Sequence, residues 1–185
     1  MQNNIQWYPG HMTKTRRLIE ANLKLIDVVV EILDARVPLS GRNASFDDIL
    51  KGKPRLLVLN KTDLADKSKT DEWIKWYKNN GITVIPISCA DGAGVNKVIS
   101  SAEELIKDKL EAERSKGRNR TLKIMMAGIP NVGKSSLINR LCGRASAKTG
   151  DKAGVTKGKQ WIKIRGGAEL FDTPGMLPPK FENQE

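Results

Sequence analysis

Residues 128–135 read Gly128-Ile129-Pro130-Asn131-Val132-Gly133-Lys134-Ser135. An apolar, strand-like run, Leu122 to Ala127, leads into this stretch, and a helical pattern from Ser135 to Leu141 follows it. Two glycines, a lysine and a serine at these positions are the spacing of a phosphate loop, and strand–loop–helix is the context that spacing needs. The glycines let the backbone turn its N–H groups inward around an anion. The helix aims the unpaired donors of its first turn at the same anion. Lys134 adds a point charge, and Ser135 offers a hydroxyl to a magnesium ion. Asn131, Val132 and Ser136 complete the phosphate-side set.

The flanking sequence alternates in the same way. Leu18, Ala21, Asn22 and Leu25 keep a helical spacing near the N-terminus. Ile26–Leu33, Arg55–Leu59 and Ile82–Ile87 read as strands. Asp71–Asn79 reads as a helix closed by Gly81, and Asn96 to Glu113 as one long helix. Arg114 to Arg120 (RSKGRNR) is polar, basic and broken by Gly117, and reads as a linker. Gln160–Ile164 and Ala168–Phe171, separated by Gly166-Gly167, form a possible hairpin. Strands alternating with helices predict an α/β fold, a mainly parallel sheet with helices on both faces.

Asn60-Lys61-Thr62-Asp63 follows the Arg55–Leu59 strand directly. A carboxylate there can accept from two adjacent donors, which guanine presents and adenine lacks, and a site built that way rejects the wrong base by a large factor. This argues against a phosphate-loop kinase or ATPase. Asn60 can bond the base's acceptor edge, and the Lys61 stem can pack on its ring. Asp172-Thr-Pro-Gly175 follows the Ala168–Phe171 strand, with Asp172 placed to hold magnesium through water and the Gly175 N–H to sense a terminal phosphate. Thr156 lies between this motif and the phosphate loop, where a mobile threonine ligand of magnesium belongs.

Taken together, these parts resemble the five motifs of a translation-factor-type GTPase, in rotated order. The base motif and Ser88-Cys89-Ala90 come first; the phosphate loop, Thr156 and Asp172–Gly175 come afterwards. Trp7-Tyr-Pro-Gly-His-Met12, Asp34-Ala-Arg36 and Pro38-Leu-Ser-Gly-Arg-Asn43 match the same group. The chain resembles the circularly permuted ribosome-biogenesis GTPases of the YlqF/RbgA family along essentially its whole length.

The resemblance implies a three-layer P-loop GTPase domain over residues 25–185, preceded by a helical arm over 1–24 and spliced across 114–120. It implies a further helix and a C-terminal RNA-binding domain that this chain lacks. It implies GTP and GDP as ligands, magnesium held by Ser135, Thr156 and Asp172, and slow intrinsic hydrolysis. Met176 stands where Ras-like enzymes place a water-orienting glutamine. His11, the only histidine, is the candidate catalytic group, and Asn131 the candidate for binding a potassium ion. Ser88-Cys89-Ala90 departs from the common Ser-Ala-Lys form, and Cys89 reads as a small packing residue. The implied partner is a precursor of the large ribosomal subunit and its rRNA, with no DNA and no membrane, the protein acting as a cytoplasmic monomer. The alternatives are a non-hydrolysing GTP-dependent RNA-binding module and a mitochondrial ribosome-assembly GTPase.

Composition narrows the classes further. The hydrophobic fraction of 39% over 185 residues is enough for a core, and two cysteines give no disulfide framework. No apolar run is long enough for a membrane span, and Met1–Gly10 lacks both the apolar core of a signal peptide and an Arg- and Ser-rich transit pattern. The net charge is +11, from 32 basic and 21 acidic residues. Arg114 to Arg165 holds 14 basic residues against Asp151 alone, so the whole excess lies in that segment. A basic stripe is the footprint of a polyanion partner. Lys148, Lys152, Lys157 and Lys159 flank Thr156 and are the candidate RNA contacts.

Overall fold

A computed structural model of the chain describes residues 9–42, 45–143, 160–164 and 167–172. Among these, strands β1 (Val28–Asp34), β2 (Arg55–Asn60), β3 (Thr83–Pro86), β4 (Leu122–Gly128), β5 (Gln160–Lys163) and β6 (Ala168–Asp172) form one sheet in the order β3-β2-β1-β4-β6-β5. All pairings are parallel except β5 against β6, which is antiparallel as the Gly166-Gly167 turn predicts.

β1 and β4 lie side by side at the centre, with Ile32 opposite Gly128. Strands buried on both faces read as continuous apolar runs rather than alternations. On one face, Val28, Val30 and Ile32 pack with Val98 and Ala102 of α4 (Lys97–Glu104) and Leu137 and Ile138 of α6 (Lys134–Cys142). The opposite face carries Val29 with Ile19 of α1 (Pro9–Asn22), and Leu33 with Tyr77 of α3 (Lys67–Asn79). The result is three layers.

Two expectations change. α3 begins at Lys67 rather than Asp71, because the Asp66 side chain accepts from the Lys69 N–H at 2.8 Å and caps the first turn. The expected single helix from Asn96 to Glu113 is two, α4 and α5 (Lys107–Ser115). Between them Ile106 takes φ −126° and bonds back only three residues, to Glu103. Ile106 stays in the core, whereas α5 turns outward with no buried residue. A short helix, α2 (Ser45–Ile49), had no periodic signal.

The segment between α5 and β4 is anchored. Asp27, buried ahead of β1, accepts from Lys109 of α5 at 2.9 Å and from Arg120 at 2.7 Å, and its second oxygen accepts the Lys123 N–H. One carboxylate thus fastens the segment ahead of β4 to both α5 and the sheet, and Arg114 and Ser115, expected in the linker, close α5 instead. Among the described residues, no helix is long and apolar enough to cross a membrane.

Candidate functional site

Because β1, β2, β3 and β4 run parallel, their C-terminal ends share one sheet edge. There stand Asp34, Asn60, the loop starting at Ser88 and the phosphate loop after Gly128. Ligands of open α/β sheets bind beyond that edge.

Asn60 joins the parts. It is buried; its Oδ1 accepts the Cys89 N–H at 3.0 Å, and its Nδ2 donates to the Val132 carbonyl at 2.8 Å. The side chain expected on the base's acceptor edge thus ties the base loop to the phosphate loop. Lys61, at φ 66°, donates to the Asn131 carbonyl at 2.9 Å and pairs with Asp34 at 3.0 Å. Thr62 donates through its hydroxyl to the Ile87 carbonyl at 2.9 Å and fixes the turn that carries Asp63. Asp63 is exposed, and among the described residues its carboxylate makes no hydrogen bond or ion pair. The motif divides its labour: three residues build the loop and one is left to accept.

The phosphate loop needs its glycines for particular reasons. Gly133 has φ 99°, and a Cβ there would overlap the Nδ2 atom of Asn60. At Gly128 a Cβ would lie 2.9 Å from the Ile32 carbonyl oxygen of the neighbouring strand. Asn131 also takes a left-handed conformation, φ 64°, which asparagine tolerates better than most side chains. α6 then starts at Lys134, so the N–H groups of its first turn lack intrahelical acceptors. Lys134 is buried at the base of the loop, and Ser135 and Ser136 are half-buried.

Sequence reasoning missed Arg140 and Asp91, which help hold these loops. Arg140 of α6 donates to the carbonyls of Cys89 and Ala90, clamping the base loop from the phosphate-loop helix. Ser88 is buried and its Oγ accepts the Asp91 N–H, while Asp91 accepts from Ala93, which lowers the Asp91 pKa. Asp34 takes Arg36 side-on, at 2.9 and 2.7 Å, besides Lys61. Hydrogen bonds from Arg36, opposed by burial, hold the Asp34 carboxyl far below the usual carboxylate range. Its folded pKa is depressed, so this stabilisation is present throughout neutral pH and is lost only in strong acid. Within β1, the Glu31 pKa is raised by burial, with Arg55 and Arg42 opposing. Arg42, from the Pro38–Asn43 motif, reaches Glu31 at 3.9 Å and Asp47 at 2.7 Å.

Burial pushes the Cys89 thiol up to about 11. At pH 8 about one thiol in a thousand is then ionised, against a quarter or so for a free cysteine. In a Cys142→Ser variant, iodoacetamide should therefore label Cys89 roughly 250-fold more slowly than a cysteine peptide. Comparable rates would show that the thiol is open.

Asp172 ends β6 beside Met126 of β4, which puts its backbone at the same edge as the phosphate loop. His11 lies in α1. The side chains of both, and Thr156, Gly175, Met176, Lys148, Lys152, Lys157 and Lys159, lie outside the described residues.

Comparison with known proteins agrees with this arrangement. Residues 123–185 match the family model described as a 50S ribosome-binding GTPase. A ribosome biogenesis GTPase A of Priestia megaterium is 50% identical over 182 residues, 97% of this chain and 63% of that protein. The crystal structure of GNP-bound YlqF from T. maritima matches at 29% identity and a TM-score of 0.58, over 89% of this chain and 58% of that one. Over nearly its whole length the chain is similar to GTPases of the YlqF/RbgA family. It has that family's P-loop GTPase fold and spans about three-fifths of the length of such relatives. A mitochondrial ribosome-associated GTPase 1 of Ictalurus punctatus is 40% identical over 97% of this chain and 59% of that protein.

Proposed function

We propose that the chain is the guanine-nucleotide-binding portion of a GTP-hydrolysing assembly factor for the bacterial large ribosomal subunit. The observation that carries this is Asn60, bonded at once to Val132 and Cys89. It makes the phosphate loop and the base loop one rigid site while Asp63 stays free to accept. Asp63 reads the two adjacent donors of guanine. Ser88, Cys89 and Ala90 cradle the base, and Lys61 and Thr62 support it. Asn131 to Ser136 wrap the phosphates, and Gly175 senses the terminal one.

Ser135, in the first turn of α6, and Asp172, two pairs along from Gly128 on the adjoining strand, stand at one edge. A hydroxyl, a carboxylate and phosphate oxygens are a donor set that suits magnesium, with Thr156 as the third protein group. When bound, the ion neutralises phosphate charge. GTP orders Thr156 and Gly175, and hydrolysis releases them. Lys148, Lys152, Lys157 and Lys159, flanking Thr156, contact rRNA and sense that state. His11 positions water or moves a proton, and Asn131 helps hold potassium. The family names of the relatives in Priestia and Ictalurus support the ribosomal partner.

Steady-state GTP turnover with and without purified large subunits tests the proposal. Subunits should raise the rate at least about tenfold. An unchanged rate would sink the ribosome-stimulated switch. The same assay with His11→Ala, or with sodium in place of potassium, reads those two roles separately, and no loss in either removes the group concerned.

A further inference from the structure

The N-terminal ends of β1, β2 and β4 form the edge opposite the nucleotide site, about 20 Å away for strands of this length. Three cations from three separate segments converge there: Lys53 before β2, Lys109 on α5, and Arg120 at the end of the splice linker. Lys109 and Arg120 both donate to a single oxygen of Asp27, and half the Lys109 side chain and 36% of that of Arg120 remain exposed. Lys53 donates to the Ile26 carbonyl at 2.8 Å, a neutral partner. Asp27 needs one positive charge for neutrality and has three around it. The Lys53 pKa is lowered, first by burial and then by repulsion from Lys109 and Arg120, with Asp27 opposing, so the three cations feel one another.

A local excess of two charges is costly unless an anion answers it. The donors left over suit one kind of anion. Each ammonium keeps N–H groups beyond the bond it makes to protein, and a tetrahedral phosphate can accept from several directions at once. Arg118 and Lys116 of the linker extend the positive surface, with Glu113 within 3.5 and 4.0 Å of them.

We propose that Lys53, Lys109 and Arg120 form an RNA-backbone docking site on the edge opposite the nucleotide, contacting phosphates through the circular-permutation splice. It rests on the proposed function only for the source of the RNA, rRNA of the large subunit. The splice then does more than close the chain: it brings linker and α5 cations together on this edge.

The test is fluorescence anisotropy of the full chain with a 24-base-pair RNA duplex, titrated across potassium chloride concentrations. Arg120 is left in place to hold Asp27. The K53Q/K109Q variant should bind about tenfold more weakly at low salt, and its plot of log affinity against log salt should be shallower by about 1 to 2. K53R/K109R should bind like the unsubstituted chain, and thermal melting checks that both variants fold. GTP affinity should be unchanged in both, so failure of the nucleotide site would show separately. Undetectable binding of the duplex by the unsubstituted chain, or an unchanged slope and affinity in K53Q/K109Q, would overturn the site. Tighter binding of poly-glutamate than of the duplex would assign the surface to an acidic protein and overturn it equally.

Discussion

Replacing Gly133 with alanine should reduce GTP affinity by at least about 100-fold, roughly 3 kcal/mol. Two costs combine. A left-handed backbone, φ 99°, disfavours any Cβ by about 1–2 kcal/mol. The new methyl also displaces the Asn60 amide, which is buried and bonded to Val132 and Cys89. Leaving those groups unpaired costs about 1–3 kcal/mol. The second cost depends on Asn60, so it should shrink in an Asn60→Ala background, giving a non-additive double-mutant cycle. Titration with a fluorescent GTP analogue measures all four species. Affinity within about threefold of the unsubstituted chain in Gly133→Ala would mean the loop is not held as described.

Asp63→Asn should be as damaging to GTP binding and nearly silent in stability. The carboxylate is exposed and has no partner among the described residues, so the fold should change by no more than about 0.5 kcal/mol. Guanine affinity should fall about 1000-fold, because an amide presents a donor where the base also presents one. Xanthosine triphosphate, which carries a carbonyl in place of the guanine amine, should gain affinity in the variant. A loss of GTP binding without any gain for the xanthine nucleotide would mean that Asp63 does not face the base amine.

The two substitutions separate what was legible in the sequence from what was not. Local spacing revealed the phosphate loop, the Asn60–Asp63 motif, most strands and the rotated order, because each depends on residues a few positions apart. The linker was legible from Gly117 and its charge. The side-chain partnerships were not. Asn60 and Val132 are 72 positions apart, Cys89 and Arg140 51, and Asp27 and Arg120 93. Such pairs exist only once the parallel sheet has gathered its strand ends. Asn60 therefore read only as a base contact, although each of its polar ends also bonds a loop and keeps a second hydrogen or lone pair for the base. Asp34-Ala-Arg36 was legible only as a motif of the resembled family; that its two charged side chains pair side-on appears only in the structure. The break between α4 and α5 was hidden because Ile99, Ala102, Leu105, Ile106 and Leu110 keep helical spacing across it; only the packing of Ile106 shows the turn.

The central claim is a guanine-selective nucleotide site held together by Asn60. Its most direct test is calorimetric titration of the unsubstituted chain, with magnesium, against GTP and ATP analogues that resist hydrolysis. The guanine nucleotide should bind at least about 1000-fold more tightly. Equal affinity for the two would contradict it.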